Sequence, residues 1–320
     1  MPSNQNPLGA LPARFRRPRL LIVGCGDVGL RVVRALQAGS PSAARGVRVL
    51  ALTSNADRAP QLRAVGITPL RGNLDRPASL GRLAGLAQRV LHLAPPAADG
   101  AGPQAWWRDP RTEHLLQALA RRSLPQALVY ASTSGVYGDC GGAWIDETHA
   151  VVPGTARGQR RANAERAVRG WALQAGVRAT VLRVPGIYAL DREGGTPVAR
   201  LRKGLPLLRA EDDVYTNHIQ ADDLARTCVA ALWRGKPQRV VHASDDTELL
   251  MGDYVDLAAD LCGMPRPARI SRAEAQGSLP VSLLSFMGES RRLHNQRLKT
   301  ELRLRLRYPT VVQGLEGLQA

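Results

Sequence analysis

This chain predicts an α/β fold with a doubly wound parallel sheet, on two observations. Short apolar runs suited to buried strands alternate with helix-like stretches through the first two-thirds of its 320 residues. Such βα alternation with short loops places helices on both faces of a parallel sheet. The first run, Leu20–Val23, passes directly into Gly24-Cys25-Gly26-Asp27-Val28-Gly29 and then into the amphipathic stretch Leu30–Leu36. A strand, a glycine-rich turn and a helix thus follow one another without interruption.

The strand candidates are Leu20–Val23, Val47–Leu52, Ile67–Leu70, Arg89–Leu93, Ala127–Ala131 and Ala179–Val184. Helix-like segments lie between them, near residues 28–38, 57–65, 78–87, 104–122 and 158–175. Right-handed crossovers are expected for each βαβ unit. After Arg183 the rhythm breaks on Pro185, Gly186, Gly194, Gly195, Pro197, Gly204 and Pro206. A helix near 221–233, a strand at Arg239–Ala243 and a helix at Tyr254–Cys262 follow. Asp222 and Asp223 stand at the start of the first of these helices, where capping accounts for one carboxylate. From Leu302 to Arg307 leucine and arginine alternate with strand period, which predicts a half-exposed extended segment.

Composition narrows the function classes. Hydrophobic content of 44% with 22% charged residues is ordinary for a globular protein. No run approaches the roughly 18 apolar residues needed to span a bilayer. Residues 1–18, rich in Pro, Asn and Arg, read as a disordered tail rather than a secretion signal, so a cytoplasmic protein is expected. Cys25, Cys140, Cys228 and Cys262 form no Cys-x-x-Cys pair, and the histidines are scattered, which predicts reduced thiols and no metal site. The net charge of +17 is almost entirely arginine, without an aromatic-interleaved or otherwise recognisable nucleic-acid module. It predicts a basic surface that suits a small anionic partner rather than a specific nucleic acid.

The glycine spacing carries chemistry of its own. Gly24 permits a tight turn, Gly26 lets the backbone approach a pyrophosphate, and Gly29 lets the new helix pack closely on the strand. The helix start at Asp27 and Val28 then presents free N–H groups and a partial positive charge to phosphates. The expected ligand is a dinucleotide cofactor. Its form is read at the end of the second strand, where Thr53 and Ser54 offer no carboxylate and Arg58 would counter a 2′-phosphate. NADP is preferred on that basis, with Asp57 keeping NAD open.

Six blocks together resemble the extended short-chain dehydrogenase/reductase superfamily, of the NAD-dependent epimerase/dehydratase type. They are the glycine turn; Val129-Tyr-Ala-Ser-Thr-Ser-Gly-Val-Tyr-Gly138; Ala143-Trp-Ile-Asp-Glu147 with Pro153; Leu182-Arg-Val-Pro-Gly-Ile-Tyr188; Asn217-His-Ile-Gln-Ala-Asp-Asp-Leu-Ala225; and Arg291–Arg297 with Leu302 and Tyr308-Pro309. The resemblance covers roughly residues 19–315, in the family's order. It implies a Rossmann-type cofactor domain (19–188 plus 217–246) and a smaller substrate lobe (189–216 plus 247–320). It also implies that Asn73 and Leu74 meet the adenine, that Leu93, Ala94 and Pro95 wall the cofactor cleft, and that helices near 104–122 and 158–175 pair in a homodimer.

The catalytic positions depart from the pattern. Thr133 falls at the family's Ser/Thr position, with Ser132 or Ser134 one residue away as alternatives on the opposite face. Arg157 and Arg161 stand where the family's Tyr-x-x-x-Lys pair is expected. A guanidinium does not exchange protons near neutrality, so Arg157 cannot replace a phenol. Arg161 can hold ribose hydroxyls. Tyr137 is a substitute phenol, or Arg157 grips a substrate carboxylate or phosphate; otherwise both arginines belong to an exposed basic run. The resemblance therefore implies an NAD(P)-dependent oxidoreductase or epimerase/dehydratase with a nonstandard site, acting on a nucleotide sugar or small carbonyl compound. The other expectation is a non-catalytic NAD(P)-binding redox sensor.

Overall fold

The computed structural model describes residues 17–38, 46–97 and 104–319, so nearly all of the expected tail lies outside the described residues. Seven strands form the central parallel sheet: β1 (Arg19–Val23), β2 (Arg48–Thr53), β3 (Thr68–Arg71), β4 (Arg89–His92), β5 (Ala127–Thr133), β6 (Arg178–Val184) and β7 (Arg239–His242). Their order is β7-β6-β5-β4-β1-β2-β3. β1 pairs Leu21 with Leu50 on one side and with Val90 on the other.

Alternation along the strands divides the core into two faces. Leu20 and Ile22 pack with Val32 and Val33 of α1 (Asp27–Gln37). On the same face lie Leu224, Cys228 and Leu232 of a later helix, Ala221–Arg234. Leu21 and Val23 face the other way, toward Leu115 and Leu119 of α2 (Pro110–Leu119) and Ala164 and Val168 of α3 (Ala156–Ala175). Helices thus cover both faces, as predicted. Two further apolar clusters gather residues from 188–215 with residues beyond 250, among them Tyr188, Leu207 and Val255 in one and Leu208, Met251 and Met287 in the other.

Two expectations about elements are corrected. Residues 77–83 form a 3₁₀ helix led by Pro77, not an α-helix. The helix expected at 104–122 is confined to 110–119, where Pro110 fixes the first turn. The expected half-exposed segment at 302–307 is found: Leu302, Leu304 and Leu306 are buried and the arginines between them exposed, and among the described residues it pairs with no strand. Its period-two pattern reflects one face laid on the core rather than a sheet edge. The helix at 221 is capped by the Gln220 side chain, which accepts from the N–H groups of Asp222 and Asp223. Asp223 instead accepts from the N–H groups of Arg307 and Tyr308, tying that segment down.

Candidate active site

The strand order reverses between β1 and β4. A cleft of about 520 Å³ opens there, at the strands' carboxyl ends, where open α/β sheets bind their ligands. Its base is Gly24–Val28. Leu52, Thr53, Ser54, Asn55 and Arg58 form one wall, and Leu93, Pro95, Ala131, Ser132, Thr133, Arg157 and Arg161 the other. Val184, Pro185, Ile187, Arg192 and Leu224 complete it.

The glycine turn is shaped for close approach. Gly24 has φ +87°, and a Cβ there would stand 2.4 Å from the backbone nitrogen of Ala94. Ala94 accordingly lies under the turn, presenting backbone to it, while Leu93 and Pro95 reach the cleft. A Cβ on Gly26 would meet nothing within 4 Å, and α1 has no side-chain cap at its N-terminus. Uncapped N–H groups facing open space fit a diphosphate. Gly29 lies inside α1, where a Cβ would come within 3.1 Å of Cys25 Sγ.

At the second strand's tip, Asn55 Oδ1 accepts from the Asp57 N–H at 2.8 Å, folding a turn that puts Arg58 but not Asp57 in the cleft wall. Burial pushes the neighbouring Cys25 thiol up to about 11, with the Arg58 charge acting in the opposite direction. Asn73 and Leu74 lie outside the cleft wall. The Asn73 amide oxygen is taken by the Asp75 N–H at 2.9 Å, and the Leu74 carbonyl by His114 Nδ1 at 2.7 Å. An adenine contact from Asn73 is left to its amide nitrogen, which donates to no group among the described residues.

At the opposite end, Thr133 closes β5 and its Oγ1 accepts from the Gly135 N–H at 3.2 Å, leaving the hydroxyl hydrogen free to donate. Ser132 donates to Glu165 at 2.5 Å. Arg157 sits in the first turn of α3 with open surface toward the cleft and, among the described residues, no hydrogen-bond acceptor within reach. The Arg157 side chain is exposed; partial desolvation by the cleft wall, and then the Arg161 charge, hold its pKa below the usual arginine value. Arg161, buried one turn further on, donates to Ala131 O at 2.6 Å and Tyr130 Oη at 3.2 Å.

Tyr137 is not a cleft residue, and this corrects its expected place at the reacting end. The 3₁₀ turn Ser134–Tyr137 carries its ring inward, where it is 2% exposed. Its hydroxyl accepts from Arg183 Nη1 at 2.6 Å and faces His242 Nε2 at 2.5 Å. His242 Nδ1 donates to the His294 carbonyl, so Nε2 is the acceptor and the phenol donates to it. Burial pushes the phenol up to about 12 and the imidazole down to about 3.

Cleft residues that sequence reasoning missed include Cys25, Asn55, Ile187, Arg192 and Leu224. Cys25, Ile187 and Leu224 lie inside the motif blocks quoted above; for Arg192 the signal was the carboxylate at Asp27, which beside a phosphate-binding turn calls for a counter-cation.

Known proteins share this architecture. A functionally unknown conserved protein from Silicibacter pomeroyi is 29% identical, with 94% of this chain and 98% of that one covered at a TM-score of 0.72. A dTDP-glucose 4,6-dehydratase from Streptomyces venezuelae, with NAD bound, is 21% identical, covering 94% and 95% at 0.74. A UDP-glucuronic acid 4-epimerase from Bacillus cereus, with UDP-glucuronic acid and NAD, is 18% identical, covering 94% and 97% at 0.72. The last two likenesses show the fold. No curated protein matches the chain significantly. The profile of the NAD-dependent epimerase/dehydratase family matches residues 20–243, most of the chain, and the chain belongs to that family.

Proposed function

We propose that this chain binds NADP, or NAD, in the cleft and reduces or rearranges an anionic carbonyl compound, a nucleotide sugar or smaller, without the family's phenol. The observation that carries this reading is one continuous cleft. It runs from the uncapped N-terminus of α1 to Thr133, Arg157 and Arg161. Arg58 in the wall and Asp57 outside it favour the 2′-phosphorylated form. A bound nicotinamide supplies or takes up the hydride.

The chain's own residues set the direction of chemistry. Arg157 and Arg161 donate hydrogen bonds and offset negative charge but accept no proton. Thr133 has a hydroxyl hydrogen to give to a substrate oxygen. Such a site favours steps in which negative charge builds on that oxygen, with the proton drawn from solvent. It disfavours removal of a proton from an alcohol.

The test is loss of reduced nicotinamide absorbance with small ketones and keto acids, together with product analysis of sugar nucleotides incubated with the dinucleotide-loaded protein, because a rearrangement leaves the nicotinamide unchanged overall. Turnover that falls in Thr133→Val supports the enzyme. The burial of Tyr137 favours a second reading, a non-catalytic dinucleotide-binding sensor; tight binding of the reduced and oxidised forms with no turnover across the panel selects it.

A further inference from the structure

Arg157 and Arg161 carry two like charges on one helix face, and neither is matched by a carboxylate among the described residues. Arg161 is 8% exposed, with Nε unpartnered, and its hydrogen bonds go to neutral oxygens alone. The neighbouring acids are committed elsewhere. Glu165 pairs with Arg183 at 2.7 Å; Asp109 accepts from the Thr112 hydroxyl at 2.6 Å and feels the Arg161 charge, but forms no ion pair with it. Asp27, the only carboxylate in the cleft wall among the described residues, is paired with Arg31 and Arg192.

The helix makes the arrangement more costly. Arg157 lies in the first turn of α3, which contains no acidic residue. A cation there opposes the helix macrodipole by about 0.3–1 kcal/mol. Arg161, buried and without an ion pair, adds a desolvation cost of its own. Both penalties are relieved by one occupant, an anion held between the guanidinium groups and the helix end.

We propose that Arg157 and Arg161 form a receptor for an oxyanion of the substrate, a carboxylate or phosphate seated beside the nicotinamide site. This rests on the dinucleotide reading, and it sharpens the substrate class. The charged group lies at the end of the cleft where hydride is exchanged, not only at a distant nucleotide. A planar carboxylate suits a two-point guanidinium contact, and a phosphate suits the helix end as well.

The experiment is a calorimetric titration of oxalate, and separately of inorganic phosphate, into NADP-saturated protein at low salt. Both wild type and variants are titrated. The expected result is that one or both probes bind alongside the dinucleotide, and that Arg157→Gln weakens this at least about tenfold, the loss of one charge-assisted contact. Arg169→Gln, an exposed arginine further along α3, leaves it unchanged. Arg161→Lys keeps the charge and retains binding, which guards against a folding defect. Tighter oxalate identifies a carboxylate substrate and tighter phosphate a phosphorylated one. No probe binding, equal effects of the two glutamine variants, or displacement of NADP by the probe overturns the proposal. Protein that binds no dinucleotide but still binds a probe, in a manner lost in Arg157→Gln, leaves the receptor standing while the cofactor reading falls.

Discussion

Arg192 Nη1 lies 2.5 Å from Asp27 Oδ2, joining the irregular segment after β6 to the first turn of α1. The other Asp27 oxygen takes Arg31 Nε at 3.0 Å, and the buried Arg31 also pairs with Asp191 at 2.6 Å and Asp222 at 2.7 Å. The segment is therefore pinned at two adjacent residues, Asp191 and Arg192. A carboxylate in a helix's first turn suits the macrodipole but repels an incoming diphosphate.

The first prediction follows from that conflict. Arg192→Gln should weaken dinucleotide binding about five- to tenfold, a partly exposed electrostatic effect near 1 kcal/mol. Asp27→Asn in the same background should recover much of it. Equal calorimetric affinities of wild type and Arg192→Gln would show that Arg192 leaves the phosphates alone.

Arg58 separates the two cofactor forms. Its guanidinium is in the cleft wall while Asp57 is not. Arg58→Gln should cost about tenfold in NADP affinity, one charge-assisted phosphate contact, and change NAD affinity little. Parallel titrations of both dinucleotides measure the ratio. An unchanged ratio would place the discriminating contact elsewhere.

How much of this was legible beforehand depended on whether the determinant was local. The strand, glycine turn and helix at 20–36 are consecutive, and their pattern was sufficient to locate the cleft. The arginines at 157 and 161 were also readable, because four residues set a helix face. Tyr137 was not, since the partners that draw its ring inward, Arg183 and His242, lie 46 and 105 residues away. Asn73 shows the opposite limit: a turn two residues long takes up its amide oxygen and leaves only the amide nitrogen for a ligand. The motif around each residue suggested a role, but hydrogen bonding decided whether its polar atoms were available.

Acid stability should be dominated by three histidines kept neutral by burial. His92 and His242 are pushed down to about 3, and His218 to about 4. The unfolded chain protonates them near 6.5. Below that pH the unfolded state binds more protons, so stability falls as pH drops from about 6.5 toward 4, by up to about 1.4 kcal/mol per unit for each histidine. Burial pushes Asp245 up to about 8, which acts in the opposite sense. The folded state holds that proton longer, and stability declines as pH rises from the ordinary carboxylate range to about 8. Urea midpoints should therefore peak near pH 6.5, with Asp245→Asn flattening the alkaline side. A midpoint constant between pH 7 and 5 would contradict neutral buried imidazoles.

Tyr137→Phe distinguishes a structural phenol from a catalytic one. The hydroxyl is the acceptor for Arg183 Nη1 and stands against His242 Nε2, both in buried surroundings. Arg183 is itself held by Glu165, with side chains only 4% and 5% exposed. Removing the oxygen leaves two buried polar atoms without their partner, at a cost of about 1–3 kcal/mol. The ring forms no part of the cleft wall, so dinucleotide affinity should not change. A lowered urea midpoint with an unaltered titration of NADP is the expected pair of results. Glu165→Gln should cost more, about 3–5 kcal/mol, because it strands the Arg183 charge. If Tyr137→Phe instead removed turnover while leaving the urea midpoint in place, the phenol would have to reach the substrate. The network through Glu165, Arg183 and His242 would then have to open during the reaction.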